Sequence, residues 1–84
     1  MENYESLVVY STKNYGRIRV KLKDILDSRG ITRNKLRNLT GVKFDVIDRY
    51  YKADTVHMVD LDLFARICCV LQCEIGDLLE YEKE

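Results

Sequence analysis

The residues best able to do chemistry in this chain are its cations, and the chemistry they fit is binding to a polyanion. Residues 13–52 carry twelve lysines and arginines: Lys13, Arg17, Arg19, Lys21, Lys23, Arg29, Arg33, Lys35, Arg37, Lys43, Arg49 and Lys52. Only four acids, Asp24, Asp27, Asp45 and Asp48, oppose them, a surplus of eight positive charges. Residues 1–12 add two acids, Glu2 and Glu5, and residues 53–84 add eight acids against two cations, so the whole chain sums to zero. A neutral total therefore hides a chain polarised along its length. Cations gathered on one segment suit a phosphate backbone, because each contact releases condensed counterions.

Other chemistries find little support. The single histidine, His57, lies beside Met58 and Val59 with no nearby serine or cysteine and no glycine-rich phosphate loop, so catalysis is not expected. Cys68, Cys69 and Cys73 are odd in number, clustered, and without the paired spacing of a zinc site; they read as buried, reduced thiols on a helix. No metal or cofactor is expected. With 84 residues and 46% hydrophobic content the chain makes one small domain, too small for a deep enzyme cleft. It contains no apolar run of about 18 or more residues, and Glu2 and Glu5 replace the basic start of a secretory leader. A cytoplasmic protein away from membranes is expected.

The elements that would position the cations are short helices. Ile18, Leu22, Ile25 and Leu26 have the one-face spacing of an amphipathic helix, which Gly30 would end in the left-handed conformation. Thr32 is placed to cap the next helix, although Lys35 stands where a full capping box has Glu. Leu36 and Leu39 would face inward on this second helix, and Gly41 would end it. A third helix over about residues 44–52 would turn Val46, Ile47 and Tyr50 inward. Residues 53–59 form a longer loop, and Asp60 would cap a fourth helix with Phe64, Ile67, Cys68 and Leu71 inside. A break near Gln72 and Cys73 precedes a last short helix with acids in its first turn, where the helix dipole favours them. Residues 1–17 are the least readable. Leu7-Val8-Val9-Tyr10 is β-prone, so this arm is disordered, lies on DNA, or forms a strand; an ordered strand would pair across a dimer.

Residues 30–53 thus have the layout of a helix-turn-helix, which delivers its second helix into the major groove of DNA. The wider pattern is similar to the lambda-repressor-like, XRE/Cro-type family of transcriptional regulators. The matching residues are Leu22-Lys23-Asp24-Ile25-Leu26, Gly30-Ile31-Thr32, Leu36, Thr40-Gly41-Val42, Ile47 and Tyr50. Leu63 to Cys68 and Leu71 to Tyr81 resemble the family's fourth and fifth helices. The resemblance covers residues 18–81 and implies a compact, all-α, five-helix DNA-binding domain behind an N-terminal arm or strand at 1–17. Two positions depart from the pattern: Arg37 replaces a small residue on helix two, and Lys43 replaces the Ser or Thr that caps helix three.

On this reading helix three enters the major groove and offers Lys43, Phe44, Asp45, Asp48 and Arg49 to base edges. Arg49 can make a two-pronged contact to guanine, Asp45 can accept from a cytosine amino group, and Phe44 can press on a thymine methyl. Two alternatives stay open: Phe44 as a core residue, and Asp48 as an intrahelical partner of Lys52. Arg17, Arg19, Arg33, Asn34, Lys35 and Lys52 are expected at phosphates, those at the start of the second helix helped by its free amides.

A single module of this kind buries roughly 600–1,000 Å² on DNA, so a homodimer on an inverted repeat is expected, with half-sites about 34 Å apart. Either the arm, residues 4–10, or the C-terminal residues Leu78, Leu79 and Tyr81 would form the dimer surface. Repression is the expected outcome, and no small-molecule effector is predicted. The competing readings are a protein–protein module that has lost DNA binding, favoured by Arg37, Phe44, Asp45 and Asp48, and the antitoxin of a toxin–antitoxin pair.

Overall fold

The computed structural model describes residues 15–53 and 56–83. In chain order the elements are β1 (Arg17–Val20), α1 (Leu22–Arg29), α2 (Arg33–Thr40), α3 (Phe44–Lys52), α4 (Leu61–Leu71), α5 (Ile75–Leu78) and β2 (Leu79–Glu82). The five expected helices are present among the described residues, joined by a small antiparallel sheet, so the fold is mostly helical rather than purely α.

The helix ends follow from local chemistry. Gly30 and Gly41 stop α1 and α2 with φ of 65° and 73°, a region in which a Cβ is strained. The Thr32 hydroxyl accepts the Lys35 amide at 3.0 Å, as the sequence predicts. Asp60 accepts the amides of Asp62 and Leu63 at the start of α4. Gln72 takes the left-handed conformation at the end of α4 with φ of 52°, at the predicted break. Glu74 and Asp77 form a reciprocal capping box around α5.

The core gathers one apolar stripe from each helix: Leu22 and Leu26, Leu36, Ile47 and Tyr50, then Leu63, Phe64, Ile67 and Leu71, closed by Val20 and Leu78. Tyr50 and Phe64 meet edge to face, with centroids 5.2 Å apart. The Arg29 guanidinium donates to the Leu71 carbonyl at the end of α4, tying α1 to that helix.

Four expectations are corrected. Ile18 does not begin the first helix; it sits in β1, and α1 starts at Leu22. The physical reason is a period of two: Arg17-Ile18-Arg19-Val20 alternates charged and apolar residues, and so does Leu79-Glu80-Tyr81-Glu82. The strands pair Arg17 with Glu82, Ile18 with Tyr81, Arg19 with Glu80 and Val20 with Leu79, so the opposite charges share one face and the apolar side chains the other. For the same reason the last helix stops at Leu78, and Tyr81 belongs to a strand. Leu39 is 46% exposed rather than inward; Leu36 alone carries the buried face of α2. Cys69 is exposed on α4, while Cys68 and Cys73 are half-buried. The β-prone segment at residues 7–10 lies outside the described residues.

A candidate nucleic-acid interface

The α2–α3 unit is fixed by its turn. The Thr40 hydroxyl donates to the Leu36 carbonyl at 2.8 Å and accepts the Val42 amide at 3.2 Å, so one side chain spans the end of α2 and the turn. Gly41 supplies the change of direction, and half-buried Val42 packs against the core. Lys43 then occupies the N-cap of α3 in an extended conformation with no side-chain capping bond. Its ammonium stays exposed at the head of the helix.

Along α3 the inward residues are Ile47 and Tyr50, fully buried, with Val46 and Tyr51 partly so. The outward positions are Phe44, Asp45 and Arg49. Phe44 is 39% exposed, which removes it from the core. Asp45 is exposed in the first turn, where the helix dipole favours a carboxylate. Arg49 is exposed but lies back along the helix: its guanidinium donates to the Tyr50 hydroxyl at 3.2 Å and sits 4.9 Å from that ring's centre. It meets no carboxylate among the described residues.

Asp48 is half-buried and holds two cations at once. Oδ1 accepts from the Arg33 guanidinium, and Oδ2 lies 3.1 Å from Lys52 Nζ. The expected intrahelical pair of Asp48 with Lys52 is present, with Arg33 added. The Lys52 ammonium, and after it Arg33, hold the Asp48 carboxyl below its ordinary 3.8, against the opposing effect of partial desolvation.

Arg33 is the junction of the site. Its guanidinium stacks 4.5 Å from the centre of Tyr51 and 5.7 Å from that of Phe44. Tyr51 is in turn anchored by its hydroxyl, which donates to Asp27 at 2.7 Å, and Asp27 meets Lys23 at 2.9 Å. Donation to the Asp27 carboxylate pushes the Tyr51 hydroxyl up, while the bond from Lys23 lowers the Asp27 carboxyl. The chain Lys23–Asp27–Tyr51–Arg33–Asp48–Lys52 therefore links α1, α2 and α3. Sequence reasoning missed Tyr51 and Asp27. Tyr51 was detectable, since it stands one turn after the buried Ile47 on the same side of the helix; its partner Asp27 was not.

Asn34 and Lys35 are exposed in the first turn of α2 beside Arg33, and Thr32, Arg33, Asn34 and Phe44 line a shallow hollow between the two helix starts. Arg17 and Arg19 are elsewhere, in β1. Arg17 lies 3.4 Å from Glu82; Arg19 meets Asp24 at 2.7 Å and Glu82 at 3.3 Å. Lys21 meets Glu80 at 3.3 Å. The acidic C-terminal strand thus offsets the cations of β1, and the surplus charge is left mainly on α2, where Arg33, Lys35 and Arg37 meet no acid of that helix, and on Lys43 at the head of α3, whose own Asp45 and Asp48 balance Arg49 and Lys52. Among the described residues no group of three or more His, Cys, Asp or Glu is placed to hold a metal ion, and no helix is long and apolar enough to cross a membrane.

Two short helices across a glycine turn, with Lys43, Phe44, Asp45 and Arg49 exposed at the start and along the outer side of the second, have the layout of a helix-turn-helix. Residues 21–84 match the Cro/C1-type HTH DNA-binding domain, and the chain belongs to that family. Its fold is similar to the crystal structure of the transcriptional regulator VanUg, form II, with a TM-score of 0.62 and 29% sequence identity over 83% of this chain and 93% of that one. A comparison with curated proteins gave no match.

Proposed function

We propose that this protein is a sequence-specific transcriptional regulator, acting as a repressor, that inserts α3 into the major groove as a two-fold homodimer. The observation that carries this is the outward face of α3: Lys43, Phe44, Asp45 and Arg49 project from a short helix whose opposite side is locked in the core. Arg49 reads guanine, Phe44 meets a thymine methyl and Asp45 accepts from cytosine. Lys43, Arg33, Asn34, Lys35 and Lys52 face the flanking phosphates or base edges near them, while Arg17 and Arg19 contribute only if DNA draws them from Glu82 and Asp24. No enzymatic step is assigned to this surface.

The two-fold arrangement is proposed because one module offers little area, roughly 600–1,000 Å². Of the C-terminal residues offered as a dimer surface, Leu78 is fully buried and serves the core instead. Tyr81, 59% exposed, and its cross-strand neighbour Ile18, 45% exposed, remain as the apolar part of that face. The N-terminal arm is the other choice.

Retardation of a random duplex at low salt, followed by selection from a randomised duplex library, tests the proposal. The expected result is binding that weakens steeply as salt rises, and a recovered inverted repeat with half-sites about one helical turn apart. Absence of retardation at every salt concentration would leave the interaction-module reading in its place.

A further inference from the structure

We propose that Asp48 is a specificity-setting positioning residue, an internal competitor for phosphate that holds Arg33 and Lys52 until DNA with the right donor displaces it. This role rests on α3 facing DNA, as proposed above, and refines how that face discriminates.

The geometry carries it. Each Asp48 oxygen serves a different cation, Arg33 on α2 and Lys52 one turn along α3. Arg33 cannot swing freely, because Tyr51 and Phe44 lie against its guanidinium and Tyr51 is itself held by Asp27. Two cations at the helix starts and end that border the proposed groove are thereby neutralised in part by one carboxylate of the groove-facing helix.

The consequence is a difference between sequences. On random duplex, a phosphate reaching Arg33 or Lys52 must share it with Asp48, and the carboxylate itself is repelled by the backbone; that cost is the same for every sequence. On a site that places a cytosine amino group within reach of Asp48, the carboxylate gains a donor in exchange for the cation it releases. Asp48 therefore weakens non-specific binding more than specific binding, which is how a repulsive element widens a specificity ratio.

The test measures binding of the full chain to a random-sequence 20-base-pair duplex and to a duplex recovered by selection, each over a salt series. Asp48→Asn should raise affinity for random duplex about five- to tenfold at low salt and steepen the log–log salt slope by about one. It should raise affinity for the selected duplex less, narrowing the ratio between the two. Asp48→Glu, which keeps the charge, should retain the wild-type slope, and Asp48→Ser should behave as Asp48→Asn, so that misfolding of one variant does not decide the outcome. In an Arg33→Gln background the gain from Asp48→Asn should shrink, because the residue acts through Arg33. The proposal is overturned if wild type and Asp48→Asn bind random duplex alike, or if the gain is undiminished with Arg33→Gln. Failure of wild type and all variants to bind any duplex removes the DNA-binding reading itself, a distinct result.

Discussion

Arg49 is held without being spent. Its guanidinium rests on Tyr50 and bonds that residue's hydroxyl, yet it opposes no carboxylate among the described residues, so approach to a base gives up a hydrogen bond to a neutral hydroxyl and a ring contact, but no ion pair. Arg33 is the contrary case, with Asp48 to be displaced and two aromatic rings to leave. On the proposed function, this contrast assigns reading to Arg49 and positioning to Arg33. Arg49→Ala should cost about 1–3 kcal/mol on the selected duplex and relax preference at one base pair. Competition binding against single-base variants of that duplex checks it; unchanged affinity and selectivity would mean that Arg49 reads nothing. Asn34, exposed in the first turn of α2, is assigned to phosphate positioning on the proposed reading. Asn34→Asp should therefore weaken binding to selected and random duplexes by a similar factor, and a loss confined to one of them would refute the phosphate-positioning role.

Element by element, the two helix starts of the DNA-facing unit are built differently. Thr32 caps α2 through the Lys35 amide, whereas Lys43 occupies the equivalent place on α3 with no cap. Thr32→Ala should lower stability by about 1 kcal/mol. Lys43→Thr supplies the missing hydroxyl where the backbone is already extended, and should stabilise the protein by roughly 0.5–1 kcal/mol while weakening duplex binding through the lost ammonium. Chemical denaturation and duplex titration of the same variant separate the two effects; a variant that is more stable and binds equally well would show Lys43 to be idle at DNA. The helices were legible in the sequence because their signals are local: glycine stops at Gly30 and Gly41, caps at Thr32 and Asp60, and stripes such as Leu22 and Leu26. The sheet was not read, since Ile18 satisfied a helical spacing with Leu22 and Ile25 while also alternating with Arg17 and Arg19. Only its partner strand, more than sixty residues away, decides between the two periods. Gly16 marks that junction: with φ of 78°, an added Cβ would lie 2.3 Å from the Glu82 carbonyl oxygen.

At the scale of the whole molecule, charge is sorted by tertiary contact rather than by position in the chain. Of the cations of residues 13–52, Arg17, Arg19, Lys21, Lys23, Arg33 and Lys52 are matched by acids, whereas Lys35, Arg37, Lys43 and Arg49 meet no carboxylate among the described residues. The sequence locates the basic half, because charge can be counted, but not which cations are matched, because Glu80, Glu82 and Asp24 meet them only in the folded state. Likewise Lys43, Phe44, Asp45 and Arg49 are legible from helical spacing alone, whereas the Arg33–Asp48 pair depends on how α2 crosses α3. The same network sets a response to acid. Lys23 with Tyr51 and Lys52 with Arg33 hold the Asp27 and Asp48 carboxyls below their ordinary 3.8. A group with a lowered folded value binds fewer protons folded than unfolded, so its contribution is fully present above that ordinary value and is lost as pH falls through the lowered ones. The melting temperature should therefore hold steady above the carboxylate range and decline in more acid solution, with a shallower decline in the Asp27→Asn, Asp48→Asn double variant. Because neither carboxylate is fully buried, high salt should reduce the difference between the two proteins. Thermal melts at a series of acidic pH values, at low and high salt, measure this. If the double variant loses stability as steeply as wild type, then acid acts on other carboxylates and the α1–α2–α3 network is a set of contacts without consequence for folding.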